Sequence, residues 1–310
     1  MTDGSVKRRS SVPAATRGRS RYSYCAITPV RNEVRNLERL AEAMEAQSLP
    51  PSVWVIVDDG SDDGTVDLAR KLAQRRAWIR VTTVPGESKA TRGAPIVRAF
   101  QAGLDCLDER PAVIVKLDAD VSFEPDYFDQ LIGRFEEDST LGIASGLCYE
   151  WDRGEWRPRF ATRSQVRGAT RAYRRECLEA VSPLEERMGW DSIDQLIALA
   201  QGWRTASFPD LAFRHYRFPG QRDGALRGWK TQGEVAHYLG YRPSYLLVRT
   251  IFRAVTDPPA GMMVVGYASA ALRRSRRHPD AELRKLLRRQ QSLSQLRHRV
   301  REALGREGSR

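Results

Sequence analysis

Cysteine is scarce in this chain: Cys25, Cys106, Cys148 and Cys177 are the only four in 310 residues, with no C-x-x-C pair and no histidine at zinc spacing. That scatter argues against a disulfide framework and against a structural metal site, so reduced thiols in a cytosolic protein are expected. Long apolar runs are missing as well. No uninterrupted stretch approaches the ~20 residues that a spanning helix needs, and the first two dozen residues lack the apolar core of a secretory leader. No internal repeat is visible. Acidic residues are outnumbered, with 39 Asp and Glu against 51 Lys and Arg, which leaves a formal net charge of +12. Such a balance predicts attraction to something anionic, whether nucleic acid, anionic lipid or a phosphorylated substrate, and composition alone does not choose among them.

What the chain does contain is organised around Val113-Ile-Val-Lys-Leu-Asp-Ala-Asp-Val121. Its apolar start reads as a buried strand, and at the carboxyl end stand two carboxylates, Asp118 and Asp120. Residues two apart on an extended chain share a side. The pair therefore offers hard oxygen ligands at the mouth of a sheet, where Mg²⁺ or Mn²⁺ carried by a phosphate would suit them.

Before this stretch, residues 1–22 are rich in Ser, Arg and Gly and read as a disordered basic arm. Strands are expected over 24–30, 53–57 and 79–84, with helices carrying Leu37, Leu40 and Met44, then 66–74, then Ile96, Val97, Phe100 and Leu104. The turn Asp58-Asp-Gly-Ser-Asp-Asp-Gly-Thr65 between strand and helix is the signature of a βαβ unit. Beyond Asp120 a helix over 125–135 and strands over 141–146 and 204–208 are expected, with an irregular excursion over 149–163. Gly202 closes a helix that begins near Gly189-Trp-Asp191.

Four motifs, Thr28-Pro-Val-Arg-Asn-Glu33, Val57-Asp-Asp-Gly-Ser61, Asp118-Ala-Asp120 and Gly189-Trp-Asp191, fall in order over residues 24–217. Together they resemble the family 2 glycosyltransferases, inverting nucleotide-sugar enzymes of the GT-A fold. The resemblance implies an α/β chain with a Rossmann-like, mostly parallel sheet flanked by helices over 23–223, and a basic helical extension over 224–310. It implies a nucleoside diphosphate sugar donor held by Thr28, Pro29, Glu33, Asp58, Asp59, Lys89, Arg92, Gly93 and Asp118. Asp118, Asp120 and His215 would hold Mg²⁺ or Mn²⁺, with Arg214 and Arg217 on the diphosphate and Arg167, Gly168 and Arg171 bordering a sugar. Aligning on Gly202 makes Asp191 the base that deprotonates the acceptor hydroxyl, with Asp194 the alternative one turn on. Asp191 could equally cap the helix that starts at Ser192.

After Gly224 the apolar positions Leu283, Leu286, Leu287, Leu293, Leu296, Val300 and Leu304 recur among arginines. With the apolar segment 258–272 this describes helices lying on an anionic membrane surface, or alternatively packed on their own domain. The extension also resembles that of bacterial relatives whose acceptors are lipid-linked or polymeric. The expected setting is the cytoplasm or the inner face of the plasma membrane, in cell-surface polysaccharide or glycolipid synthesis. Nucleotidyl transfer is a second reading, disfavoured by the lack of a glycine-rich loop with lysine near the first strand. A non-enzymatic basic protein that binds membrane or nucleic acid is a third. The even scatter of arginine outside the two ends disfavours it, and no nucleic-acid partner is expected.

Overall fold

The structure is a computed structural model. It describes residues 22–85, 93–152, 154–159, 165–216, 224–255 and 257–292. The arm at 1–21, the loop carrying Lys89 and Arg92, Arg217, and Leu293, Leu296, Val300 and Leu304 lie outside the described residues.

The first half alternates strand and helix: β1 (Tyr24–Val30), α1 (Val34–Glu45), β2 (Val53–Asp58), α2 (Thr65–Arg75), β3 (Ile79–Thr83), α3 (Ala94–Asp105) and β4 (Val113–Leu117). β1 pairs in parallel with β2 on one side and β4 on the other, and β3 pairs in parallel with β2. These strands read as continuous apolar runs because both of their faces are covered. On β1, Tyr24 and Ala26 pack with α1 and with helix α4 (Tyr127–Glu137) on one face, while Cys25 and Ile27 pack with α3 on the other. β2 and β4 alternate in the same way.

The second half brings antiparallel neighbours. β5 (Val121–Phe123), β6 (Leu141–Asp152), β7 (Glu155–Pro158), β8 (Thr170–Arg174) and β9 (Arg204–His215) complete one sheet in the order β3-β2-β1-β4-β8-β6-β9-β5, with β7 on β6. β8 runs antiparallel between β4 and β6, β5 antiparallel to β9, and β6 parallel to β9. α5 (Arg175–Val181) and α6 (Trp190–Ala200) cover the α3 face. Two expectations are corrected here. The strands foreseen over 141–146 and 204–208 each run twelve residues, and part of the supposed excursion after Tyr149 is the β6–β7 hairpin. Their apolar residues alternate with Cys, Glu, Trp, Arg and His on a half-covered sheet, so a search for continuous apolar runs truncates them.

The helices after Gly224 do not stand apart from the sheet. α7 (Ala225–Tyr238) and α10 (Ala281–Gln290) share an apolar cluster with α6: Val235, Leu239, Leu283 and Leu287 pack with Ile193 and Leu196. The stripe at Leu283 and Leu287 is thus internal. α9 (Met262–Leu272) packs on α7 as closely as two helices can, since a Cβ at Gly266 would stand 1.9 Å from the Lys230 carbonyl oxygen and one at Gly233 2.0 Å from that of Met263. That contact covers one side of α9, while Val265 and Leu272 stay exposed on the other. α8 (Pro243–Ala254) lies outermost, with Leu247, Ile251 and Phe252 exposed. No helix among the described residues is long and apolar enough to cross a membrane.

Candidate active site

Strand order reverses at β1, between β2 and β4, and the crevice beyond the carboxyl ends of such strands is where an open α/β sheet binds ligands. Three acidic groups stand along that edge. Asp58 and Asp59 end β2, Glu33 follows β1, and Asp118-Ala-Asp120 follows β4.

The β1 and β2 loops are tied to each other. The Asp58 carboxylate accepts from the amides of Gly60 (3.0 Å) and Ser61 (3.1 Å), and Asp63 accepts from the amides of Thr65 (3.0 Å) and Val34 (3.2 Å). The Asn32 side chain accepts from the Asp62 amide at 2.9 Å. This is the polar turn that Asx chemistry builds, and it presents Asp59 beside Arg31 at 3.6 Å. Burial pushes the Asp59 carboxyl up, and the Arg31 and Arg98 charges work against that. Glu33 is buried, and its carboxylate accepts from Nδ2 of the Asn36 side chain at 2.7 Å. Thr28 points into the core, where its hydroxyl accepts from the Trp54 indole at 2.8 Å, so its side chain is not at the ligand edge as the motif led one to expect. Pro29 is half-buried on the same strand, and Gly93 precedes α3 against the backbone of Arg187.

At β4 the pleat places Lys116 and Asp118 on one side, the face that α6 covers. Lys116, almost fully buried, donates to the Asp118 carboxylate and, at 3.1 Å, to the Gly168 carbonyl. Its ammonium lies 5.7 Å from the Trp190 ring. The antiparallel β5–β9 register sets Val121 against His215, and this brings His215 Nε2 to 3.3 Å from Asp120. One ligand atom from each of Asp118, Asp120 and His215 lies within 4.8 Å of the others. Burial would lower the His215 pKa, but hydrogen bonds with Asp120 and Cys148 and the charges of Asp120 and Asp118 outweigh it and hold the value up at about 10. A site that negative suits a divalent cation, which would displace the proton. Two carboxylates with one imidazole fit Mg²⁺ or, with the nitrogen ligand, Mn²⁺.

Asp118 and His215 open onto a cavity of about 490 Å³ that also receives Arg167, Gly168, Trp190 and Asp191. Asp191 does not cap its helix. α6 begins two residues earlier, at Trp190, with Gly189 as N-cap, which leaves the Asp191 carboxylate in the first turn, on the cavity beside Gly168. Asp194 goes elsewhere. It is 2% exposed and is clasped by both Nε (3.1 Å) and Nη2 (2.7 Å) of a fully buried Arg171, with the Tyr173 hydroxyl also donating to it. Burial works against the Arg171 charge, but Asp194, then Tyr173 and Asp191, more than offset it and hold its pKa above the ordinary value. Arg171, expected beside a sugar, is instead an internal strut, and it fixes α6 through a 2.9 Å bond to the Asp191 carbonyl. Arg214 is also off the cavity lining, with its guanidinium 5.7 Å from the Trp156 ring.

Several cavity residues escaped the sequence reading. Lys116 was hidden in an apolar run, although its i, i+2 relation to Asp118 was legible. Glu150, Arg159, Trp229, Arg249, Arg253 and Asp257 had no local signal, because β6, α7 and α8 converge here only in three dimensions.

Residues 25–247 match the model of glycosyl transferase family 2. The chain belongs to that family. A polyprenol monophosphomannose synthase of Mycolicibacterium smegmatis is 30% identical over 174 residues, which is 50% of this chain and 63% of that protein. Glycosyltransferase AglD of Haloferax volcanii is 26% identical over 208 residues, 59% of this chain and 32% of that protein. The chain thus spans less than two thirds of the length of these relatives. Among solved structures, the mannosyltransferase PcManGT of Pyrobaculum calidifontis, in complex with GDP-Man and Mn²⁺, superposes with a TM-score of 0.54 at 16% identity, covering 93% of this chain and 87% of that one. That likeness confirms the GT-A fold of this family 2 chain. The family match runs past Arg217 into α8, as does the cavity.

Proposed function

We propose that this family 2 chain transfers a sugar, with inversion, from a nucleoside diphosphate sugar to a hydroxyl of a lipid-linked or polymeric acceptor. One observation carries the reading: the cavity that Asp191 lines is also lined by Asp118 and His215, two members of the Asp118–Asp120–His215 cluster, so a base and a diphosphate anchor border one space. Glu33, Asp58 and Asp59 line the adjoining edge, where carboxylates accept from ribose hydroxyls and base N–H groups. Asp118, Asp120 and His215 would hold a divalent cation, which would supply charge neutralisation for the leaving diphosphate. Asp191 takes the proton of the acceptor hydroxyl as its oxygen attacks the anomeric carbon. Lys116 holds Asp118 in place, and the Arg171–Asp194 pair holds the first turn of α6. Trp190 and Trp229 supply flat apolar walls for a sugar ring.

GDP-mannose is the first donor to try, because the structural neighbour PcManGT is in complex with it, and UDP sugars follow because another neighbour, TarS of S. aureus, is in complex with UDP. The test is release of free nucleoside diphosphate from a panel of nucleotide sugars with Mn²⁺ or Mg²⁺. Turnover should cease in EDTA and in Asp118→Ala and Asp120→Ala. Undiminished turnover in EDTA would remove the cation from the account.

A further inference from the structure

One imidazole in the candidate site belongs to two sets of metal-ligating groups. Cys148 and Glu150 stand two apart on β6 and so share a side of the sheet, and the parallel β6–β9 register sets Glu150 directly beside His215. One ligand atom from each of Cys148, Glu150 and His215 lies within 4.8 Å of the others, and all three residues line the cavity. This set overlaps the Asp118–Asp120–His215 set only at His215. The sequence hides it, because the thiol and the imidazole belong to different strands and no metal motif joins them.

The two sets differ in chemistry. Two carboxylates and an imidazole suit Mg²⁺ or Mn²⁺, whereas thiolate, imidazole and one carboxylate are ligands that Zn²⁺ takes, with a fourth position left open. The ring is placed to serve either. Its Nε2 lies 3.3 Å from Asp120, while Nδ1 is buried with no hydrogen-bond partner among the described residues, so no acceptor behind the ring pins it to the Asp120 side. Cys148 and Glu150 are almost fully buried, which makes the cavity an ion's way in. Glu150 already has partners: Arg159 donates to one carboxylate oxygen and Arg167 to the other at 3.2 Å. Each oxygen keeps a second lone pair for a metal, and the two guanidinium charges hold the affinity below that of a closed structural site. At zinc bond lengths the edges of a tetrahedron are about 3.5 Å, so a small side-chain rotation closes the cluster on an ion.

We infer that Cys148, Glu150 and His215 form a second metal site, one that takes Zn²⁺, and that filling it draws the imidazole away from the cation that serves the diphosphate. Zn²⁺ there weakens the hold on Mn²⁺ or Mg²⁺, and by linkage those ions weaken the hold on Zn²⁺. A coordinating thiol is deprotonated outright, so binding sends the Cys148 proton to solvent. Zinc binding needs only the geometry of the cluster; the competition rests on the glycosyl-transfer reading, through its cation.

The test uses the reduced full chain, with Co²⁺ as the spectroscopic stand-in for Zn²⁺, since a thiolate ligand gives Co²⁺ an intense near-ultraviolet charge-transfer band. Wild type should show that band, and Asp118→Asn should keep it. Cys148→Ser should lose the band together with about tenfold or more in Zn²⁺ affinity by calorimetry, the scale of a damaged metal shell. Cys148→Ala, which buries no hydroxyl, should do the same, with circular dichroism confirming that both variants are folded. For the shared imidazole, electron paramagnetic resonance follows Mn²⁺ held with GDP as Zn²⁺ is added. Wild type should release Mn²⁺ at Zn²⁺ concentrations about tenfold or more below those that Cys148→Ser needs. No band in wild type, or an undiminished band in folded Cys148→Ser and Cys148→Ala, overturns the site. Release at the same Zn²⁺ concentration from wild type and Cys148→Ser means that Zn²⁺ enters the Asp118–Asp120 set instead, and overturns the sharing. A Cys148-dependent band in a chain that binds no Mn²⁺ faults the cation of the proposed function and leaves the zinc site standing.

Discussion

Asp191 and Asp194 sit one turn apart on α6 and have opposite surroundings. The first opens onto the cavity, and the second is locked to Arg171 and Tyr173 beneath it. Losing one member of a buried ion pair leaves the other uncompensated, at a typical cost of about 3–5 kcal/mol. Asp194→Asn should therefore lower the urea midpoint strongly, whereas Asp191→Asn should leave it nearly unchanged. Equal midpoints would mean that Arg171 is satisfied without Asp194. Sequence spacing alone could not separate these two aspartates. It placed both at the start of a helix that ends at Gly202, and only the position of β8, which carries Arg171 beneath α6, assigns them different work.

Among the elements, two junctions set the geometry. At the turn from α4 into β6, hydrogen bonds from Thr140, then the bond and charge of Arg204, hold the Asp138 carboxyl down at about 2. The Arg204 bond is 2.6 Å long, and the Asp138 carbonyl accepts from Arg174 at 2.8 Å. A depressed folded-state pKa contributes stability at pH values above the unfolded carboxyl's pKa, and that contribution is lost as pH falls through the folded value. Denaturant titrations between about pH 4 and pH 2 should show the wild type losing stability faster than Asp138→Asn, with the two curves converging at the acid end. Parallel curves would show that the turn does not depend on this charge. The second junction is α7 on α9. Gly266→Ala would drive a methyl into the Lys230 carbonyl, and overpacking of this kind costs about 1–3 kcal/mol. Because α7 supplies Gly228, Trp229 and Gln232 to the cavity, the variant should lower both melting temperature and acceptor-dependent turnover. A melting temperature equal to wild type would contradict the close packing.

Across the whole molecule, what the sequence made legible was local: the βαβ order, the acidic strand ends, the glycine that closes α6, and the helical character of the chain after Gly224. Those signals arise from periodicity and turn chemistry within about a dozen positions. The long strands β6 and β9 were cut short because their polar residues face the site. The joining of α10 to α6 and of the α8 arginines to the cavity was unreadable, because each contact spans tens of residues with no motif at either end. The boundary drawn at Gly224 marks a change in composition, while the cavity is walled by residues from both sides of it.

The account turns on one carboxylate, so its most direct test is a paired measurement on wild type and Asp191→Asn: donor affinity by calorimetry, and the rate of nucleoside diphosphate release to acceptor at saturating donor. A general base contributes about 10²–10⁴ in rate. The account predicts a loss of that size in turnover with donor affinity unchanged; normal turnover in Asp191→Asn would contradict it.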